Sequence, residues 1–171
     1  LCIEQILDKY KNTSYEVIVR PHPQQVRHQM ERFVEMQERY AKDDNITIQT
    51  DFSSNSTVMD ADLLITDWSD ISFEYAFTTL KPVLFIDTPM KIMNPEYDKI
   101  EQKPINVTLR NVIGKAISVN DIDNILEIST DMLKQKDMYR KQIADAREKH
   151  IFNIGKSRIL SGKYIMKRLM E

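Results

Sequence analysis

Asp62-Leu63-Leu64-Ile65-Thr66-Asp67-Trp68-Ser69-Asp70-Ile71-Ser72-Phe73-Glu74 runs from three aliphatic residues through a polar turn into a helical pattern. An unbroken apolar run of this kind marks a short strand covered on both faces, as in parallel sheets. Ile71, Phe73, Tyr75, Ala76 and Phe77 carry the helix that follows, with Ser69 as its expected N-cap. Lys81-Pro82 stops that helix, and Val83-Leu84-Phe85-Ile86 is a second fully apolar strand.

The same alternation extends in both directions. On the amino side, Leu1, Ile3, Ile6, Leu7 and Tyr10 share one helical face, and Tyr15 to Arg20 reads as a strand. A helix with Val26, Met30, Phe33, Val34 and Met36 or Gln37 at three-to-four spacing follows. Then come a short β-branched strand, Ile46-Thr47-Ile48, and a brief helix through Val58 and Met59. On the carboxyl side, Asp87 to Pro104 is a long irregular connection with three prolines, a length usually reserved for function. Ala116 to Val119 is a last short strand, and the chain from Asp121 is helical, interrupted near Asn153-Ile154-Gly155. Strands alternating with helices predict an α/β fold: a Rossmann-like parallel sheet flanked by helices.

A chain of 171 residues suits one domain, taken as 1–171 with closing helices over 121–171. It opens within an amphipathic helix where such a domain normally begins with a strand, so the first strand reads as missing and the chain as a fragment. A formal net charge of −2 argues against a nucleic-acid surface. The single cysteine allows no internal disulfide, and no His, Cys and carboxylate grouping has metal-ligand spacing. No stretch approaches the length of a membrane span.

Two segments carry chemistry. Arg20-Pro21-His22-Pro23-Gln24 holds one imidazole between two prolines at a strand exit, which is either a stiff mount for a ligand group or only a tight turn. Thr66 to Ser69 leads into a helix N-terminus, which favours phosphate through free N–H groups and the helix dipole. Thr66, Ser69 and Ser72 could add hydroxyls there, and Glu74 could accept from a ribose. The plainer reading leaves Ser69 a cap and Glu74 a favourable first-turn charge. Strand ends of one parallel sheet share an edge, so the two segments are expected to converge on a cleft fit for a pyrophosphate donor, with His22 as imidazolium. A glycine-rich phosphate loop is absent.

Taken in order, Val17 to Pro23, Asp62 to Ser69, Phe73-Glu74-Tyr75-Ala76, Lys81 to Phe85 and Phe152 to Ile159 resemble the CDP-glycerol glycerophosphotransferase family, the teichoic-acid-type polymerases and primases. The resemblance implies the carboxyl-terminal, donor-binding half of a GT-B enzyme that moves glycerol phosphate from CDP-glycerol to a hydroxyl and releases CMP. It implies His22 as the essential histidine beside the pyrophosphate and Thr66, Asp67 and Ser69 at the start of the donor-site helix; Arg20, Ser72 and Glu74 complete the expected donor site from the reading of the residues themselves. Ser157 and Arg158 would lie where a closing helix nears the cleft. It further implies a lipid-linked polymer acceptor, work at the inner membrane face of the cytoplasm, an amino-terminal domain supplying the general base, and no cofactor beyond the nucleotide donor.

Asp70 and Glu74 depart from the family pattern, as does the loop Asp87-Thr88-Pro89-Met90 through Tyr97. Glycerol, ribitol and sugar donors therefore stay open. The other readings are a GT-B glycosyltransferase or 2-epimerase-like enzyme using a UDP-sugar, and a non-catalytic interaction module.

Overall fold

The computed structural model describes residues 2–90 and 94–171; Leu1 of the expected first helical face and Lys91, Ile92 and Met93 of the long connection lie outside them. Helix α1 (Cys2–Tyr10) leads to β1 (Val17–Val19), α2 (Pro23–His28), α3 (Met30–Arg39) and β2 (Ile46–Ile48). Then follow α4 (Ser56–Asp60), β3 (Leu64–Thr66), α5 (Ile71–Thr79) and β4 (Val83–Asp87). The short helices α6 (Ile105–Thr108) and α7 (Arg110–Ile113) precede β5 (Gly114–Ser118), and α8 (Ile125–Lys134), α9 (Lys136–His150) and α10 (Ser157–Met170) close the chain.

Among the described residues all strand pairing is parallel, in two ladders. β1 pairs with β2, placing Val17 opposite Ile46 and Val19 opposite Ile48. The second ladder has the order β3-β4-β5, with Thr66 opposite Phe85 and Asp87 opposite Ser118. This is a Rossmann-like α/β arrangement in which helices flank short parallel strands. The single expected sheet is corrected in one respect: no ladder joins β1 to β3. The Val17 N–H and the Val19 carbonyl bond toward β2, at the Asn45 carbonyl and Gln49 N–H. Ile18 therefore directs its backbone groups to the opposite edge.

Burial follows position in the ladder. Val83, Leu84, Phe85 and Ile86 of the central strand β4 are buried, each contributing roughly 1.5–3 kcal/mol. β3, expected to be covered on both faces, is only half-buried because it stands at a ladder edge. Gly114 opens β5 where its backbone meets β4: a Cβ there would lie 1.7 Å from the Val83 carbonyl oxygen. Only glycine allows that approach.

Helix α1 ties the ladders together. Leu7 packs with Val19, Phe33, Met36 and Tyr40, while Tyr10 packs in the core of the three-stranded ladder. The Tyr10 and Ser129 hydroxyls meet at 2.6 Å, and the Tyr40 hydroxyl donates to the Glu4 carbonyl and to Asp8.

The helix expected through Val26 and Met36 is two, broken at Gln29, whose φ of −138° and ψ of 37° leave the helical region. The break rotates the later turns, so Met30 and Val34 are exposed while Val26, Phe33 and Met36 stay buried. Helices α6 and α7 were not legible, since Leu109 and Ile113 are too few to show a period. Leu80 ends α5 in the left-handed region at φ 58°, just before Lys81-Pro82.

Candidate functional site beyond the strand ends

Pro21 is buried and Pro23 opens α2, so His22 is fixed as the N-cap of that helix. Its Nδ1 accepts the Gln24 N–H at 3.2 Å, and the Gln25 side chain accepts the His22 N–H at 3.3 Å. The Nδ1 side of the ring is taken up by the cap, which leaves Nε2 as the other ring nitrogen. The imidazole is exposed.

Arg20 is half-buried. Its Nη1 donates to Thr57 Oγ1 at 3.3 Å, and its guanidinium lies over the Phe52 ring. Thr57 in turn donates to Gln49 Oε1 at 2.7 Å, so Arg20 braces the exits of β1 and β2 against α4. Hydrogen bonds from the Ser53 N–H and hydroxyl, with a smaller contribution from Arg20, hold the Asp51 carboxyl below its ordinary range.

At the exit of β3, Thr66 is half-buried and Asp67 and Ser69 are exposed. The N-cap position of α5 falls on Asp70, not Ser69, and no side chain caps this end. The Ser69 carbonyl instead accepts from the Ser72 N–H and, at 2.8 Å, from the Ser72 hydroxyl. Ser72 is buried and its hydroxyl proton is engaged by that carbonyl. Glu74 is exposed on the first turn.

Ser157 and Arg158 open α10, of which every residue is exposed. The Ser157 hydroxyl donates to the Asn153 carbonyl at 2.9 Å, closing the turn before the helix. No hydrogen bond or ion pair among the described residues links these two residues to the strand ends. Nor does any hydrogen bond or ion pair among the described residues join 20–25 to 66–74.

The exits of β3 and β4 are joined by a side chain that sequence reasoning passed over. Arg110 is buried, its Nη1 donates to Asp87 Oδ1 at 2.9 Å, and its guanidinium stacks 3.7 Å from the centre of the Trp68 ring. One face of Trp68 is thereby occupied, and its indole N–H donates to the Thr88 carbonyl at 2.7 Å. Asp87 and Trp68 both lie beyond neighbouring parallel strands, the place where open α/β sheets take ligands. The sequence signal for Arg110 is thin: a lone arginine between Leu109 and Ile113 resembles any exposed helical residue.

No group of three or more His, Cys, Asp or Glu side chains is arranged to hold a metal ion among the described residues. No described helix is long and apolar enough to cross a membrane.

Fold and placement together define a Rossmann-like parallel α/β domain with polar side chains beyond its strand ends. The model of the CDP-Glycerol:Poly(glycerophosphate) glycerophosphotransferase family matches residues 2–155, and the chain belongs to that family. Comparison with curated proteins and with solved structures returns no match.

Proposed function

We propose that this chain binds a cytidine diphosphate alditol, CDP-glycerol in the first instance, as donor for transfer of an alditol phosphate to an acceptor hydroxyl. The observation that carries this reading is the position of Thr66, Asp67 and Ser69 beyond a parallel strand and before the nine-residue helix α5, in a chain of this transferase family. The α5 N-terminus turns the positive end of its dipole toward one phosphate. His22 offers Nε2–H to the other, with Arg20 adding positive charge behind it. Hydrogen bonds held ready for the departing CMP oxygen stabilise charge as the phosphorus–oxygen bond breaks. Glu74 is suited to a ribose hydroxyl.

In this reading the chain is the donor half of a GT-B architecture, and the acceptor is a lipid-linked polymer at the inner membrane face. Helix α10 supports the second point: Arg158, Lys163, Lys167 and Arg168 accompany exposed Ile159, Ile165, Met166 and Leu169, with no acidic residue inside the helix. Basic and apolar residues on one exposed helix suit an anionic membrane surface.

Calorimetry with CDP-glycerol, CDP, CMP and UDP tests the donor assignment. Binding of CDP-glycerol and CDP in preference to UDP is expected. Preference for UDP would replace the reading with a sugar-nucleotide transferase or epimerase, and no binding by any nucleotide would favour an interaction module.

A further inference from the structure

Among the described residues, Arg110 is the one buried charged side chain, with 6% of its surface exposed. Asp87 takes Nη1, while Nε and Nη2 are enclosed and have no hydrogen-bond partner. Those two atoms form one edge of the guanidinium. Their N–H bonds point the same way and receive two oxygens of a phosphate or carboxylate side by side. Asp87 thus orients the group by its other end and leaves the bidentate edge free.

Surroundings strengthen the point. The Trp68 ring lies against the guanidinium and Phe85 stands 4.8 Å away, so the charge is held among apolar surfaces. Leaving charged donors unpaired there is costly, and such groups in native proteins call for a partner. Trp68 follows β3 and leads to α5, and Asp87 ends β4, so the free edge belongs to the carboxyl ends of two parallel strands. Asn106 is the other described residue with a buried unpartnered side-chain atom, Oδ1, four residues before Arg110. An amide oxygen requires a donor. A phosphorylated polyol carries both complements: oxygens for the arginine edge and a hydroxyl for the amide.

We propose that Arg110 is a phosphate ligand of this site, presented by Asp87 and Trp68 and completed by the phosphate of a polyol ester, with Asn106 accepting from the polyol. This rests on the donor-site reading for its location. Two sources of that phosphate are possible: the nucleotide donor, and a phosphodiester of the polymer acceptor.

The test uses the full chain, titrated with CDP-glycerol, CDP, cytidine and a glycerol phosphate trimer. It follows the Arg110 Nε–H signal by nuclear magnetic resonance and the fluorescence of Trp68, the only tryptophan. Calorimetry compares the wild-type chain with Arg110→Lys, which keeps the charge and loses the bidentate edge. The expected result is a shifted, slowly exchanging Nε–H with phosphate-bearing ligands. Affinity for those ligands should fall tenfold or more in Arg110→Lys, with cytidine binding unchanged. If Arg110→Lys does not fold, the wild-type spectrum decides alone.

Movement of the signal by the trimer, without binding of CDP-glycerol, would keep Arg110 as a phosphate ligand and overturn the donor reading. Binding of CDP-glycerol with the signal unmoved by any ligand would do the reverse. A signal unmoved by every ligand, with Asn106→Ala lowering thermal stability as much as Arg110→Lys, would overturn the inference and identify an internal Asn106–Arg110 pair.

Discussion

The Gln24 backbone N–H donates to Nδ1 of His22 at 3.2 Å, so the side chain proposed to meet a donor phosphate also caps α2. The two roles are separable. His22→Asn retains a capping side chain and should hold stability near the wild-type value while weakening CDP-glycerol binding about tenfold, the order of one hydrogen bond to a charged group. His22→Ala should lose the binding and also about 1 kcal/mol of stability. Thermal melts beside calorimetry check this, and unchanged binding by both variants would remove His22 from the site.

Ser72 and Ser69 should behave oppositely. Ser72→Ala removes the hydroxyl that donates to the Ser69 carbonyl and should cost about 1 kcal/mol while leaving nucleotide affinity unaltered. Ser69→Ala should barely change the melt and should weaken nucleotide binding. Paired denaturant titrations and calorimetry distinguish the two residues.

Gly114→Ala should be among the most damaging single substitutions. The added methyl would meet the Val83 carbonyl oxygen at 1.7 Å, and a central-strand backbone cannot yield that far. We expect a loss of about 3 kcal/mol or more, read as a lowered urea midpoint. A melt within 2 °C or so of wild type, the scale of a loss below about 1 kcal/mol, would contradict the packing.

Alkaline stability should fall through tyrosine ionisation. Burial raises the phenols of Tyr10, Tyr75 and Tyr139, and burial together with the bond to Asp8 pushes Tyr40 up to about 12. A raised folded value means that the unfolded chain releases its protons first, so stability is complete below the ordinary phenol value of about 10 and is lost as pH rises above it. Tyr40 alone accounts for a loss on the order of 2 kcal/mol by pH 12. Tyr40→Phe should flatten that part of the profile in urea titrations between pH 8 and 12.

Helix α10 should associate with anionic vesicles and not with neutral ones, and the association should weaken as salt rises. Lys163→Glu with Lys167→Glu should abolish it while leaving the melt unchanged, because both side chains are exposed. Flotation with phosphatidylglycerol vesicles measures this directly.

Much of the fold was legible because apolar runs reveal central strands whatever their neighbours. Val83 to Ile86 read as buried and is buried, and the alternation around it specified parallel pairing. The family pattern from Val17 through Ser157 was readable for the same reason, since its pieces are local. Edge strands are harder: Leu64 and Ile65 are as apolar as the central strand, but their coverage depends on what lies beside them. The break at Gln29 has no residue that marks it.

Local chemistry, read along the chain, was enough to locate two strand exits and to nominate His22, Thr66 and Ser69. It could not reveal which polar groups are already engaged, because those bonds depend on turns and cross-chain contacts. Only the folded chain commits Ser72 to Ser69, moves Ser157 and Arg158 onto an exposed helix, and divides the strands into two ladders. Arg110 is the clearest case. Its neighbours in sequence are unremarkable, and its partners Asp87 and Trp68 lie 23 and 42 residues earlier. Burial and an unpaired guanidinium edge are properties of that meeting, so they exist only in the tertiary structure.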